Sequence, residues 1–136
     1  MIKEIYFAGG CFWGTQHYFK QIYGVIETAT GYANGKTKNP IYEEVYTDIT
    51  GFAETVKVVY DSNRIDLDLL VELFFKSIDP LSLNRQGNDV GTRYRTGIYY
   101  SDNEDLQTIK AVYEKVAAEY GSDLCVELKP LLNFYM

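Results

Sequence analysis

"FAGGCFWGTQHYF", residues 7–19, holds the end of an apolar run, a pair of glycines and a set of aromatic residues that opens a helical pattern. Upstream, Ile2 to Ala8 reads as a buried strand ended by Gly9 and Gly10. Downstream, Phe12, Phe19, Ile22 and Tyr23 line a helix over 12–23 that Gly24 stops. Strand, glycine turn and helix therefore open the fold, and Cys11 stands at the helix start.

The pattern continues outward from there. Val25 to Tyr32 suits a second strand, and Ala33-Asn34-Gly35 followed by Asn39-Pro40 marks a long loop. Phe52 to Tyr60 gives a third strand. Leu67, Leu70, Val71, Phe74 and Ile78 repeat at helical spacing until Asp79-Pro80 halts them. Leu81 to Arg95 is rich in turn residues and reads as a long loop, a kind usually either functional or disordered. Thr96 to Tyr100 is a fourth strand. Ser101 with Glu104 forms a capping box for a helix lined by Leu106, Ile109, Tyr113, Val116 and Tyr120, which ends at Gly121, and Leu124 to Leu128 closes with a short strand. The order strand, helix, strand, strand, helix, strand predicts an α+β domain with a ferredoxin-like split βαβ core, extended by one helix and one strand. There is no internal repeat, low-complexity tract or linker, so residues 1–136 are expected to form a single domain. At this length a chain buries roughly two thirds of its unfolded surface, enough for a real core.

Charge and composition narrow the function. Nineteen acidic against thirteen basic side chains give a net charge of −6, the wrong sign for a nucleic-acid phosphate backbone or an anionic lipid surface. No run approaches the ~20 apolar residues of a membrane span, and Met1 to Ile5 leads into a strand without a signal-peptide core, so the expected compartment is the cytoplasm. Two cysteines and one histidine make neither a disulfide framework nor a zinc site, so no metal is expected.

A free cysteine is by default a small buried hydrophobe. A thiol at the first turn of a helix, however, lies beside unpaired backbone N–H groups and the positive end of the helix dipole, and both favour thiolate. Gly9 and Gly10 let the chain bend so that the sulfur faces outward. His17, six positions along the same helix, stands about 240° around it from Cys11 and is a poor base partner. On the third strand, Phe52, Val56, Val58 and Tyr60 share one face that Glu54 interrupts. Burial there would raise its pKa and keep it protonated as an acid; a position near the strand end would let it reach water instead. A thiolate and a neutral carboxylic acid together suit reduction of an S=O group: one attacks the soft sulfur and the other supplies a proton to the departing oxygen. Phe12 and Trp13 offer a slot for a methyl group, or simply core. Among thirteen tyrosines, Tyr42 and Tyr94 fall in polar, loop-like surroundings where a phenol can donate to that oxygen.

"GCFWG" at 10–14, "NPIYEEV" at 39–45, "GFAE" at 51–54 and "NRQGNDVGTRYR" at 84–95 resemble the peptide methionine sulfoxide reductase A family, and the similarity runs from about Tyr6 to Tyr135. The resemblance implies an α+β core and no metal or organic cofactor. It implies that Cys11 is the nucleophile, that Glu54 is the acid at the sulfoxide oxygen, and that Tyr42 and Tyr94 are phenol donors to it. Asp89 would organise the site, and Phe12 and Trp13 would hold the methyl group. It implies action on the S epimer, in free methionine sulfoxide or in oxidised proteins, through a sulfenic acid on Cys11. Many relatives have histidine where this chain has Phe52; the swap makes the surroundings of Glu54 more apolar and predicts a pKa above the ordinary glutamate value. The sequence ends at "LKPLLNFYM", where relatives usually continue through a segment that often bears a resolving cysteine. The expectation is therefore a one-cysteine type whose sulfenic acid is reduced directly by thioredoxin, glutaredoxin or glutathione. Cys125, expected on the last strand, reads as a structural or bystander thiol. Two rival readings share parts of this pattern: another thiol enzyme such as a peroxidase, and a module that binds oxidised methionine segments without turnover.

Overall fold

The computed structural model describes residues 1–36 and 51–136. Among these residues eight strands and three α-helices follow one another as β1 (Ile2–Gly9), α1 (Phe12–Lys20), β2 (Val25–Ala33), β3 (Ala53–Asp61), α2 (Leu67–Lys76), β4 (Arg85–Gln86), β5 (Asp89–Val90), β6 (Thr96–Tyr100), α3 (Leu106–Tyr120), β7 (Glu127–Pro130) and β8 (Phe134–Tyr135). Short 3-10 turns at Thr92–Tyr94 and Asn103–Asp105 precede β6 and α3 respectively. Six strands form one mixed sheet in the order β7-β6-β1-β3-β2-β8, while β4 and β5 make a separate two-stranded ribbon. The β1–β3, β1–β6, β2–β3 and β2–β8 pairs are antiparallel, and β7 joins β6 in parallel after the α3 crossover.

Period-two alternation divides β1 between two cores. Ile5 and Phe7 face the helices with Val56, Val58 and Ile98; here α1 contributes Phe12 and Phe19, α2 contributes Leu70, Val71 and Phe74, and α3 contributes Ile109, Val112 and Val116. Phe7 is stacked between Phe19 and Phe74, with centroids 4.8 Å and 4.7 Å away, so β1 is locked to two helices through one ring. Tyr6 and Ala8 point the other way, where Ala33, Ala53 and Tyr99 meet Leu131 and Phe134 of the C-terminal segment.

That second face is small-residue-rich because the sheet curls. β7 and β8 lie on opposite edges, five strand spacings apart, which in a flat sheet would be about 24 Å. Only the steps from Pro130 to Phe134 connect them, a reach of at most about 14 Å. The edges are drawn together, and Asn34 fastens them: it accepts from Leu132 N–H at 2.7 Å and donates to Pro130 C=O at 3.1 Å.

Four sequence expectations need correction. The stretch 81–95 is not a plain loop; it folds into the β4–β5 ribbon and a 3-10 turn, two rungs too short to leave a periodic signature. The cap before α3 is Asp102, whose carboxylate accepts from Glu104 N–H at 2.9 Å, rather than Ser101, because a 3-10 turn intervenes. The last long-range pairing of the α3 crossover starts at Glu127, not Leu124, so Cys125 lies in the connection before β7; its N–H donates to Pro80 C=O at 2.7 Å and holds that connection to the end of α2. Helix α1 ends at Lys20, before Ile22 and Tyr23. β8 was not legible in the sequence at all.

Candidate active site

Gly10 adopts φ +88°, a conformation glycine takes without strain, and turns the chain from β1 into α1. Cys11 follows as the helix N-cap in an extended conformation, its side chain making no capping hydrogen bond. Its carbonyl accepts from Thr15 N–H at 3.3 Å, which closes the first turn and leaves the half-exposed thiol at the surface. The first N–H groups of any helix lack intrahelical partners. Here the Phe12 N–H finds the Glu54 carboxylate, with Oε1 at 3.2 Å. The acid of β3 thus reaches the amide immediately after the thiol.

Glu54 is 3% exposed on the helix-facing side of β3, opposite Tyr32 of β2. Burial raises its pKa above the ordinary glutamate value; the Phe12 amide and the Arg93 guanidinium pull it back, and the charge of Asp89 pushes it up. The alternative of a solvent-reaching carboxylate is excluded by this burial. Tyr94, in the 3-10 turn after β5, is likewise raised, chiefly by burial, while a hydrogen bond from Arg93 opposes the shift. Its phenol stays neutral and able to donate.

Asp89 comes from the β4–β5 ribbon. With Cys11, Gly14, Thr15, His17 and Gln86 it lines a groove of about 470 Å³. His17 is an exposed residue of that same groove. Phe12 is buried, tilted on Tyr32 at 5.6 Å, and Trp13 stands edge-on to it at 5.0 Å while remaining 63% exposed. One residue is thereby a wall and its neighbour an open flap. Cys11, Phe12, Trp13, Glu54, Asp89 and Tyr94 gather around one helix start; Tyr42 lies outside the described residues.

Sequence reasoning missed Arg93 and Tyr32. Arg93 is 8% exposed, its guanidinium 4.4 Å above the Tyr94 ring. An arginine in a polar stretch reads as solvated, and nothing in "GTRYR" set Arg93 apart from Arg95 two positions on. Tyr32 carried a signal only through its strand parity.

This clustering of a thiol and a buried acid at a helix start invites comparison with known proteins. The family model of peptide methionine sulfoxide reductase matches residues 3–136. The chain belongs to that family. Peptide methionine sulfoxide reductase MsrA of Lachnoclostridium phytofermentans is 51% identical over 135 residues, 99% of this chain and 81% of the relative. Among solved structures, Mxr1 from Saccharomyces cerevisiae in reduced form superposes with a TM-score of 0.92 at 34% identity, covering 98% of this chain and 78% of the yeast protein. The same yeast protein in complex with Trx2 gives 0.74 at 26% identity, covering 98% and 79%. These solved structures therefore share the mixed α/β fold and its curled sheet with the present chain. No helix among the described residues is long and apolar enough to cross a membrane.

Proposed function

We propose that this reductase acts on the S epimer of methionine sulfoxide, free or within oxidised proteins, with Cys11 as nucleophile and Glu54 as acid, and that residues 1–136 constitute one catalytic domain. The observation that carries the reading is the 3.2 Å hydrogen bond from the Phe12 amide to a buried Glu54, which brings a protonatable carboxyl to the thiol-bearing turn. The Cys11 thiolate attacks the sulfoxide sulfur while Glu54 delivers a proton to the oxygen, assisted by the phenols of Tyr94 and Tyr42. Oxygen passes to Cys11, methionine leaves, and the cysteine becomes a sulfenic acid. An external thiol then condenses with it, releasing water and forming a mixed disulfide, and a second thiol restores Cys11. Thioredoxin is the first candidate reductant, supported by the Trx2 complex of the yeast relative; glutaredoxin and glutathione are the others. Phe12 and Trp13 receive the methyl group, and Asp89 orients the polar side. The order β6-β1-β3-β2 with α1 and α2 as crossovers supports describing the inner strands as a ferredoxin-like split βαβ unit.

The test is turnover of separated S and R sulfoxides of a blocked methionine with dithiothreitol, thioredoxin or glutaredoxin, and hydrogen peroxide as a rival substrate. The S epimer should be consumed, Cys11→Ser should abolish consumption, and Cys125→Ser should leave it intact. Equal use of both epimers, or peroxide outrunning sulfoxide, would refute the assignment.

A further inference from the structure

The β4–β5 ribbon is outside the main sheet, yet it carries Asp89 into the groove beside Cys11. Two rungs of pairing cannot hold such a ribbon at a defined height. Gln86 makes three attachments that can. Its Nε2 donates to Asp79 C=O at 2.9 Å, and its Oε1 accepts from Asp79 N–H at 2.9 Å, so one side-chain amide occupies both backbone groups of one residue. Its stem also presses on the catalytic turn: a Cβ built on Gly10 would stand 2.8 Å from Gln86 Cβ. Asp79 is itself a fixed post, because the adjoining Pro80 C=O is bonded by Cys125 N–H at 2.7 Å. Across the ribbon, the register partner of Gln86 is Asp89.

We propose that Gln86 is a positioning residue, clasping Asp79 and seating on Gly10 so that its ribbon partner Asp89 is held at working distance from the Cys11 turn. This rests on the reductase reading above and adds to it. Gln86 need not touch substrate; it acts through Asp89 and through the turn. The same contact gives Gly10 a second reason to be glycine, since a larger residue there would lift the ribbon.

A double-mutant cycle decides the matter. With protein in excess over the S sulfoxide of N-acetylmethionine, methionine release in a single turnover is measured for wild type, Gln86→Met, Asp89→Asn and the pair. Gln86→Met keeps the stem and loses both hydrogen bonds; it should slow the step about tenfold, an interaction of ordinary coupling size, and cost less than about twofold when Asp89 is already Asn. Gln86→Asn, one methylene short of Asp79, should behave like Gln86→Met. The rate of iodoacetamide alkylation of Cys11, in Cys125→Ser protein, should rise about threefold or more once the ribbon lifts. Unchanged single-turnover rates, or the same loss in both Asp89 backgrounds, would overturn the proposal. If wild type fails to reduce the sulfoxide, the reductase reading falls, and alkylation still judges the clasp: a rate unaffected by Gln86→Met refutes it.

Discussion

Glu54 is a carboxyl whose surroundings favour its neutral form. Burial is the largest contribution, and the Phe12 amide and Arg93 limit it without reversing it. A group with a raised folded pKa contributes its stability below the unfolded value of 4.5 and loses it as pH rises through the folded value. Glu54→Gln should therefore gain thermal stability over wild type progressively above pH 4.5, while lowering the single-turnover rate by roughly 10²–10⁴-fold. Thermal melts across pH check the first half; a melting difference independent of pH would contradict it. Arg93 stabilises the ionised form of Glu54, so Arg93→Gln should raise the Glu54 pKa and move the alkaline limb of the single-turnover profile to higher pH. A downward move would mean that the loss of its seat on Tyr94 matters more than its charge. Glu127 behaves oppositely: burial pulls it up, but hydrogen bonds from Tyr99, Arg95 and Lys129 outweigh burial and leave it below the ordinary value. Its contribution is present above pH 4.5 and fades as pH falls through the folded value. Glu54 was identifiable at this scale because a single carboxylate on an apolar strand face is conspicuous. Arg93 was not, since nothing in a local pattern tells a buried guanidinium from a solvated one.

The turn from β1 into α1 is the element on which the site depends. Gly10→Ala combines the left-handed backbone, worth about 1–2 kcal/mol, with a clash on Gln86, so denaturant unfolding should show a loss of at least that size. The slowed first half-reaction should accompany it. Packing of the helices rests on the Phe19–Phe7–Phe74 stack, and Phe74→Ala should cost about 3–5 kcal/mol by opening a cavity against β1. Thermal melts of that variant measure it; a loss below 1 kcal/mol would mean that the site collapses freely. Helix and long-strand elements were readable because each carries several periods of one hydrophobic pattern. The β4–β5 ribbon and β8 were not, being two residues per strand. The ribbon is tied by the Gln86–Asp79 clasp, made across seven residues, and the C-terminal segment by Asn34.

For the whole molecule, closure of the curled sheet is the feature to test. A Cβ at Gly31 would stand 2.6 Å from both Phe134 Cζ and the Tyr135 carbonyl, and a backbone atom cannot swing aside. Gly31→Ala should therefore displace β8, exposing the amides of residues 131–136 to hydrogen exchange at a cost of about 1–3 kcal/mol. Exchange unchanged in that segment would show that the curl has slack. The amino-acid sequence by itself determined the order of the major elements and the mixed α/β class of the fold, and it singled out the thiol and the acid as candidates, because these depend on local periodicity, glycine placement and residue type. Only tertiary structure decided that Glu54 meets the amide after Cys11, that Arg93 tempers it, and that the C-terminal segment bridges the two sheet edges. Those outcomes join residues far apart in the chain, 42 positions for Phe12 with Glu54 and 98 for Asn34 with Leu132, and such contacts are fixed by the curl of the sheet and the packing of its two faces, which no local stretch of chain encodes.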